Sequence, residues 1–347
     1  MEIVSPKDNP YLVGHEEAEK FILESWRNHK LHQALLISGE KGIGKATLAY
    51  RIARFLLQAD ESKRDTYKTL EVSPNNKVFK QISSGSHPDF KIVERDYIKT
   101  DRQKIIKAIQ NGNYMSDEEL NELKKSAEIV VDDVRRVNEF LAHSSADNNW
   151  RIVLIDSVDE MNRSSANAML KILEEPPHKT LMILISHNPE ILLPTIRSRC
   201  AKLPLKPLSD NLTASLLRRY RPELSESEIK KICQMARGSI GKAISYADGE
   251  AANFYAQLTD IATLGNNFKI ASMLKFCTVA SGECNYELFK ELVLKFLLEK
   301  ARCGQKVDSY AEMFDKATKI FKETEVLNLD KKQAITDIMI GIARINE

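Results

Sequence analysis

At 347 residues the chain is too long for one ordinary core and predicts two or three domains. Hydrophobic residues at 43% and charged residues at 29% give the balance of a soluble globular protein, and no apolar run is long enough to cross a bilayer. The formal net charge of +2 neither requires nor excludes a nucleic-acid partner.

The first residues, Met1 to Lys7, lack the basic-then-apolar order of a secretion signal, so the expected compartment is cytoplasmic, with no membrane partner. Cys200, Cys233, Cys277, Cys284 and Cys303 are scattered, without C-x-x-C or metal-ligand spacing. They predict reduced thiols and no metal site.

Along the chain, Ala34-Leu35-Leu36-Ile37-Ser38 is a short apolar run closed by Gly39, hence a buried strand and a turn. The following helix carries Leu48, Ile52, Phe55 and Leu56 on one side, which faces the sheet. Phe90 to Glu94 is a second strand. The polar stretch 96–128 is expected to be a surface insertion, and Asp132 to Ser144 another helix. Arg151 to Asp156 and Leu181 to Ser186 are two more buried strands, and Ala201 to Leu205 a last one. Pro204 and Pro207 place a domain boundary near Lys206. Beyond it the apolar spacing is helical throughout; Ser225 and Glu228 form a capping box opening a helix that Gly238 ends. The expected fold is α/β, a parallel sheet with helices on both faces over residues 1–206 (insertion about 96–128). A small helical domain, 207–250, and a larger all-helical one, 251–347, follow.

Gly39-Glu40-Lys41-Gly42-Ile43-Gly44-Lys45 matches G-x-x-x-x-G-K between a strand and a helix. Gly39, Gly42 and Gly44 let successive N–H groups converge on phosphate oxygens, while the helix N-terminus and Lys45 add positive charge. The alternative is a glycine-rich turn without a ligand. The next position, where Ser or Thr would offer a hydroxyl to Mg²⁺, is Ala46, and a methyl group ligates no metal. Thr47 is rotated about 100° around the helix and is not expected to substitute. Asp156 closes its strand where such sheets bind ligands, but its follower is Ser157, with no carboxylate to polarise water. Asp159 and Glu160 read as the start of the next helix. Gly39, Gly42, Gly44, Lys45, Thr47 and Asp156 are thus the contacts of a degenerate nucleotide site. It is expected to bind ATP or ADP weakly or not at all, with no metal.

Two further stretches carry a resemblance. Asn167 to Glu175 is a helix stopped by Pro176-Pro177, and Leu192 to Cys200 contains Ser198-Arg199-Cys200. With the phosphate loop, these "LLK-LEEPP" and Ser-Arg-Cys marks resemble the AAA+ clamp-loader family of bacterial DNA polymerase III. The likeness is dense over residues 9–248. It implies a P-loop AAA+ domain, a lid domain and a helical collar. It makes Arg199 an arginine finger, catalytic in trans on a neighbouring subunit's ATP. Such fingers are worth about 10³–10⁵ in rate, roughly 4–7 kcal/mol. Without the motif Arg199 would read as a surface ion-pair partner.

Motor subunits of that family carry a lid arginine within Gly-Ser-x-Arg; here Gly238-Ser239-Ile240-Gly241 puts Gly241 at its position, with Lys242 one residue off. An impaired site beside a retained finger resembles the family's delta-prime branch, whose members complete a neighbour's site without firing their own. The implied partners are gamma/tau motor and delta subunits in a hetero-oligomeric ring, and through it the sliding clamp and primed DNA. Many members carry a cysteine-ligated zinc module; Leu57 to Asp89 holds no cysteine and His87 makes no site alone, so no zinc is expected. The rival readings are an ATP-hydrolysing gamma/tau-type motor and a P-loop regulator unrelated to replication.

The remaining features have plainer readings. Arg218-Arg219-Tyr220-Arg221 is either a DNA-facing patch or a solvated helix end. Ser186 and Asn188 are the candidates to sense a γ-phosphate, and His187 reads as structural. Phe289, Leu292, Phe296 and Leu297 are helical core.

Overall fold

Each run expected to form sheet is a strand in the structure, a computed structural model that describes residues 5–113, 115, 119–120, 123–142, 149–248, 251–264, 270–303, 306–327 and 329–345. The strands are β1 (Ala34–Ser38), β2 (Phe90–Val93), β3 (Arg151–Asp156), β4 (Thr180–Ser186) and β5 (Ala201–Pro204). They pair in one all-parallel sheet of order β2-β3-β4-β1-β5. Parallel strands must be covered on both faces, which is why these runs are continuously apolar.

The alternation within each strand sorts the core into two layers. Leu35, Ile37, Leu154, Ile183 and Ile185 face one side, where α1 (Glu16–Arg27), α2 (Lys45–Gln58) and α3 (Lys77–Ser83) pack Trp26, Leu48, Ile52, Phe55 and Phe79 against them. Leu36, Val153, Ile155, Met182 and Leu184 face the other, under α5 (Val131–Ala142) and α6 (Arg163–Glu174), which contribute Val134, Val137, Met169 and Ile172. Trp26 meets Phe55 edge-on with centroids 5.0 Å apart, and the Arg64 guanidinium lies 4.9 Å from its ring. α6 begins four residues before the expected Asn167, because the Asn162 side chain accepts from the Ser165 N–H and caps it there; the proline pair ends it as expected.

The insertion contains α4 (Lys99–Gln110), which leaves Ile106 and Ile109 exposed. It is tied at its base by a Tyr97–Lys125 bridge and by the Asp101 carboxylate, which accepts the Lys124 N–H at 3.0 Å. α5 was expected to run to Ser144; residues 143–148 lie outside those described.

After the single turn α7 (Pro194–Arg197) and β5, the described chain is helical: α8 (Asp210–Tyr220), α9 (Glu226–Ala236), α10 (Ile240–Asp248), α11 (Ala251–Leu264), α12 (Ile270–Ala280), α13 (Glu283–Cys303), α14 (Val307–Leu327) and α15 (Lys331–Ile345). None of the described helices is long and apolar enough to cross a membrane. The chain clusters as two units, Met1–Leu216 with Arg237–Gly241, and Leu217–Ala236 with Lys242–Glu347.

In the second unit the capping box forms: the Glu228 carboxylate accepts the Ser225 N–H at 2.8 Å, and the Ser225 hydroxyl accepts the Glu228 N–H at 3.4 Å. Edge-on aromatic pairs knit the later helices, Phe254 to Phe276, Phe276 to Phe289 and Phe289 to Phe321. Phe289, Leu292, Phe296 and Leu297 are all buried, as their spacing predicts. In the basic cluster Arg218 forks onto both oxygens of Glu226 at 2.7 and 2.8 Å, and Arg221 donates to Asp248 at 2.5 Å. Those two arginines form intramolecular ion pairs rather than an open cationic patch.

Both of the chain's two tryptophans, Trp26 and Trp150, lie in the first unit, so their fluorescence reports on it alone. Leu154 is fully buried in the centre of the sheet. Leu154→Ala should cost about 2–5 kcal/mol, seen as a lower urea midpoint by tryptophan fluorescence.

Candidate functional site

β1 delivers the chain to the glycine loop and α2 takes it up at Lys45, with Gly44 as N-cap at a φ of 109° that a side chain would resist. All five carbonyls from Gly39 to Ile43 are bonded by the protein. The Lys45 ammonium donates to those of Gly39 and Glu40 at 2.5 and 2.6 Å. The Ser239 hydroxyl donates to that of Lys41 at 2.8 Å, the Gly241 N–H to that of Gly42 at 2.9 Å, and His15 Nε2 to that of Ile43 at 2.7 Å. A trans peptide points its N–H opposite to its C=O. Fixing this row of carbonyls therefore fixes the direction of the N–H groups that follow them, and with the α2 N-terminus they make a cup for an anion.

Lys45 is buried, and that burial pushes its pKa down to about 8, opposed by Asp156 and Asp159. His15 and Ser239 were not among the expected site residues. Their signals, a histidine after Gly14 and a serine after Gly238, are legible only once the loop's carbonyls are seen to need donors.

The structure brings Asp156 to the same rim as the loop, at the end of β3. Burial, reinforced by the carboxylates of Glu94 and Glu160 and opposed by Lys45, raises its pKa to about 6. Thr47 is buried on α2, and Ala46 offers no oxygen. Asp159 and Glu160 do not start a helix. They form a single 3-10 turn, Val158–Glu160, and Asp159 accepts from the Ser186 hydroxyl at 2.6 Å and from the His187 N–H. Its carboxylate ties down the end of β4, a stronger use than interaction with a helix dipole. The Ser186 hydroxyl is thereby taken up, and the Asn188 side chain caps the turn at Pro189–Ile191. Burial drives the His187 pKa down to about 4, which leaves it a neutral structural ring. Among the described residues no group of three or more His, Cys, Asp or Glu is placed to hold a metal ion.

Gly241 lies against the loop so closely that a Cβ built on it would sit 2.8 Å from the Gly42 Cα. No larger residue stands there without moving the loop. Lys242 turns to Glu291, at 2.5 Å.

Arg199 stands on the other rim. It follows α7 and precedes buried Cys200 at the start of β5. The register pairs Ala201 with Leu35. Arg199 is therefore level with a point six residues before Gly39, roughly 20 Å along the strand direction. Its side chain, 35% exposed, donates to the Glu174 carboxylate at 2.7 Å and to the Thr195 carbonyl at 3.0 Å. It lines a groove of about 900 Å³ with His29, Lys30, Glu174, His178 and Lys179.

Residues 14–209 match the family described as DNA polymerase III, delta subunit. The chain belongs to that family. Relatives of this DNA polymerase III delta family member include the subunit tau/gamma of Haemophilus influenzae, 26% identical over 259 residues, or 74% of this chain and 32% of that one. The subunit delta' of Bacillus subtilis is 27% identical over 191 residues, 54% of this chain and 46% of that one. The chain thus spans less than half the length of these two relatives. A DNA polymerase III gamma subunit-related protein of Thermotoga maritima superposes with a TM-score of 0.45 at 14% identity, over 94% of this chain and 100% of that one.

The raised Asp156 pKa makes a measurable statement about this family member. A folded-state pKa near 6, above the ordinary 3.8, means the folded chain holds that proton more tightly than the unfolded one. The group's contribution to stability is therefore largest below pH 4 and declines as pH rises through about 6. Titration of the Asp156 carboxyl by ¹³C NMR should give a midpoint near 6, and Lys45→Met should move it higher by removing the stronger of the two lysines, Lys45 and Lys41, that hold it down.

Proposed function

We propose that this chain is a delta-prime-type, stator-like subunit of the DNA polymerase III clamp loader, helping to place the sliding clamp on primed DNA without hydrolysing ATP itself. One observation carries the reading. Arg199 and the chain's own phosphate loop are on opposite rims of the sheet, roughly 20 Å apart along the strands, so its guanidinium does not reach its own loop and is free to be presented to a site on another chain. There a planar, permanently charged fork meets the equatorial phosphate oxygens that gain charge in the transition state. The ring partners are motor subunits of the gamma/tau type and a delta subunit, in the cytoplasm. Residues 207–250 act as the lid domain and 251–347 as the collar.

The loop supports the non-hydrolysing half of the reading. Its amides, with Lys45 and Thr47, suit a phosphate group held weakly, which the Asp156 carboxylate on the same rim opposes unless a cation lies between them. Ala46 gives Mg²⁺ no hydroxyl, Ser157 gives water no base, and Gly241 leaves no room for a lid arginine.

In a loader reconstituted with tau/gamma-type and delta partners, Arg199→Ala should lower DNA-stimulated ATP hydrolysis at least about tenfold, with the assembly's mass unchanged. A rate within about a factor of two of the wild type ends the trans role. The isolated chain with ATP and Mg²⁺ should show no turnover; turnover abolished by Lys45→Ala would make it a motor.

A further inference from the structure

α6 ends in two carboxylates, Glu174 and Glu175, at the helix terminus where the dipole disfavours negative charge, and Pro176-Pro177 stops any continuation. Glu174 has found a cation. Arg199 Nη2 donates to its Oε1 at 2.7 Å while Nη1 donates to the Thr195 carbonyl at 3.0 Å. One nitrogen is anchored to the backbone four residues back, and the other rests on an exchangeable anion. At 35% and 48% side-chain exposure the pair is open to water, which makes it easy to displace.

The groove around it is built for negative charge. His29, Lys30, His178 and Lys179 line it, and its other carboxylate, Glu61, is engaged by Lys179 at 3.5 Å and Arg64 at 3.4 Å. A carboxylate and a phosphate offer a guanidinium the same kind of paired oxygen acceptors.

We propose that Glu174 is a positioning residue for Arg199. In the unengaged chain its carboxylate takes the place of phosphate oxygens, holding the guanidinium at the groove until an incoming polyphosphate displaces it. This rests on the trans role of Arg199 and names how that role is gated: Glu174 competes with the phosphate and does not take part in the transition state.

The probe is inorganic tripolyphosphate, titrated calorimetrically into the full chain carrying Lys45→Ala, so that the phosphate loop does not compete. Glu174→Gln should bind at least about threefold tighter, Glu174→Asp should bind like Glu174, and the gain should vanish when Arg199→Ala is added. Deleting a carboxylate near any anion site would raise affinity with or without Arg199, so an equal gain in both backgrounds overturns the proposal, as does no gain. In the reconstituted loader Glu174→Gln should lower the apparent KM for ATP with kcat unchanged; a tenfold fall in kcat also overturns it. The two readings fail separately. Loss of ATPase in Arg199→Ala without coupling to Glu174 removes the gate alone, whereas coupling with an unaffected ATPase removes the trans role.

Discussion

All five strands run in one direction, and the chemistry of the first unit follows from that. A parallel sheet collects the carboxyl ends of its strands on one rim and the amino ends on the other. The glycine loop and Asp156 arrive at the first rim because β1 and β3 end there; Arg199 arrives at the second because β5 begins there. No side-chain rotation carries an arginine across the length of a strand. The separation of the glycine loop from Arg199 is thus a property of the sheet, secured by its hydrogen-bonded ladders together with the hydrophobic layers on both faces.

Within the first rim, shape and charge are governed differently. The direction of the loop amides is set by donors that hold its carbonyls, one of them the buried Lys45 ammonium. That lysine is uncomfortable in its position, as its lowered pKa records, and the raised pKa of Asp156 is the complementary discomfort of a buried carboxylate with other carboxylates nearby. The helix position that follows Lys45 carries a methyl group rather than a hydroxyl. The rim thus sets a buried cation beside a buried carboxylate, each shifted away from its charged form.

Most of the scaffold was legible in the sequence because it depends on period and punctuation. Short, continuously apolar runs closed by turn residues marked the strands, and helical spacing marked Leu48, Ile52 and Phe55 as sheet-facing. Proline pairs marked the ends of elements. What was not legible depends on partners distant in sequence. Asp159 looked like a helix-starting acid because its true partner, the Ser186 hydroxyl, lies on another strand. Asn162 moved a helix start that periodicity alone had placed later. The resting place of Arg199 on Glu174 joins two segments that carry a family mark separately but say nothing, as strings, about touching.

The glycine loop also has a dependence that its local sequence conceals. Its outward oxygens are bonded by His15, Ser239 and Gly241, residues far upstream and far downstream, and residues 237–241 cluster with the first unit although the chain leaves that unit before reaching them. A fragment cut after residue 209, where the family match stops, would retain every letter of the glycine motif and every strand of the sheet. It would nonetheless leave two adjacent peptide oxygens, those of Lys41 and Gly42, without their donors. The motif is contiguous in the gene, but its conformation is assembled from segments on both sides of it, one of them about two hundred residues downstream.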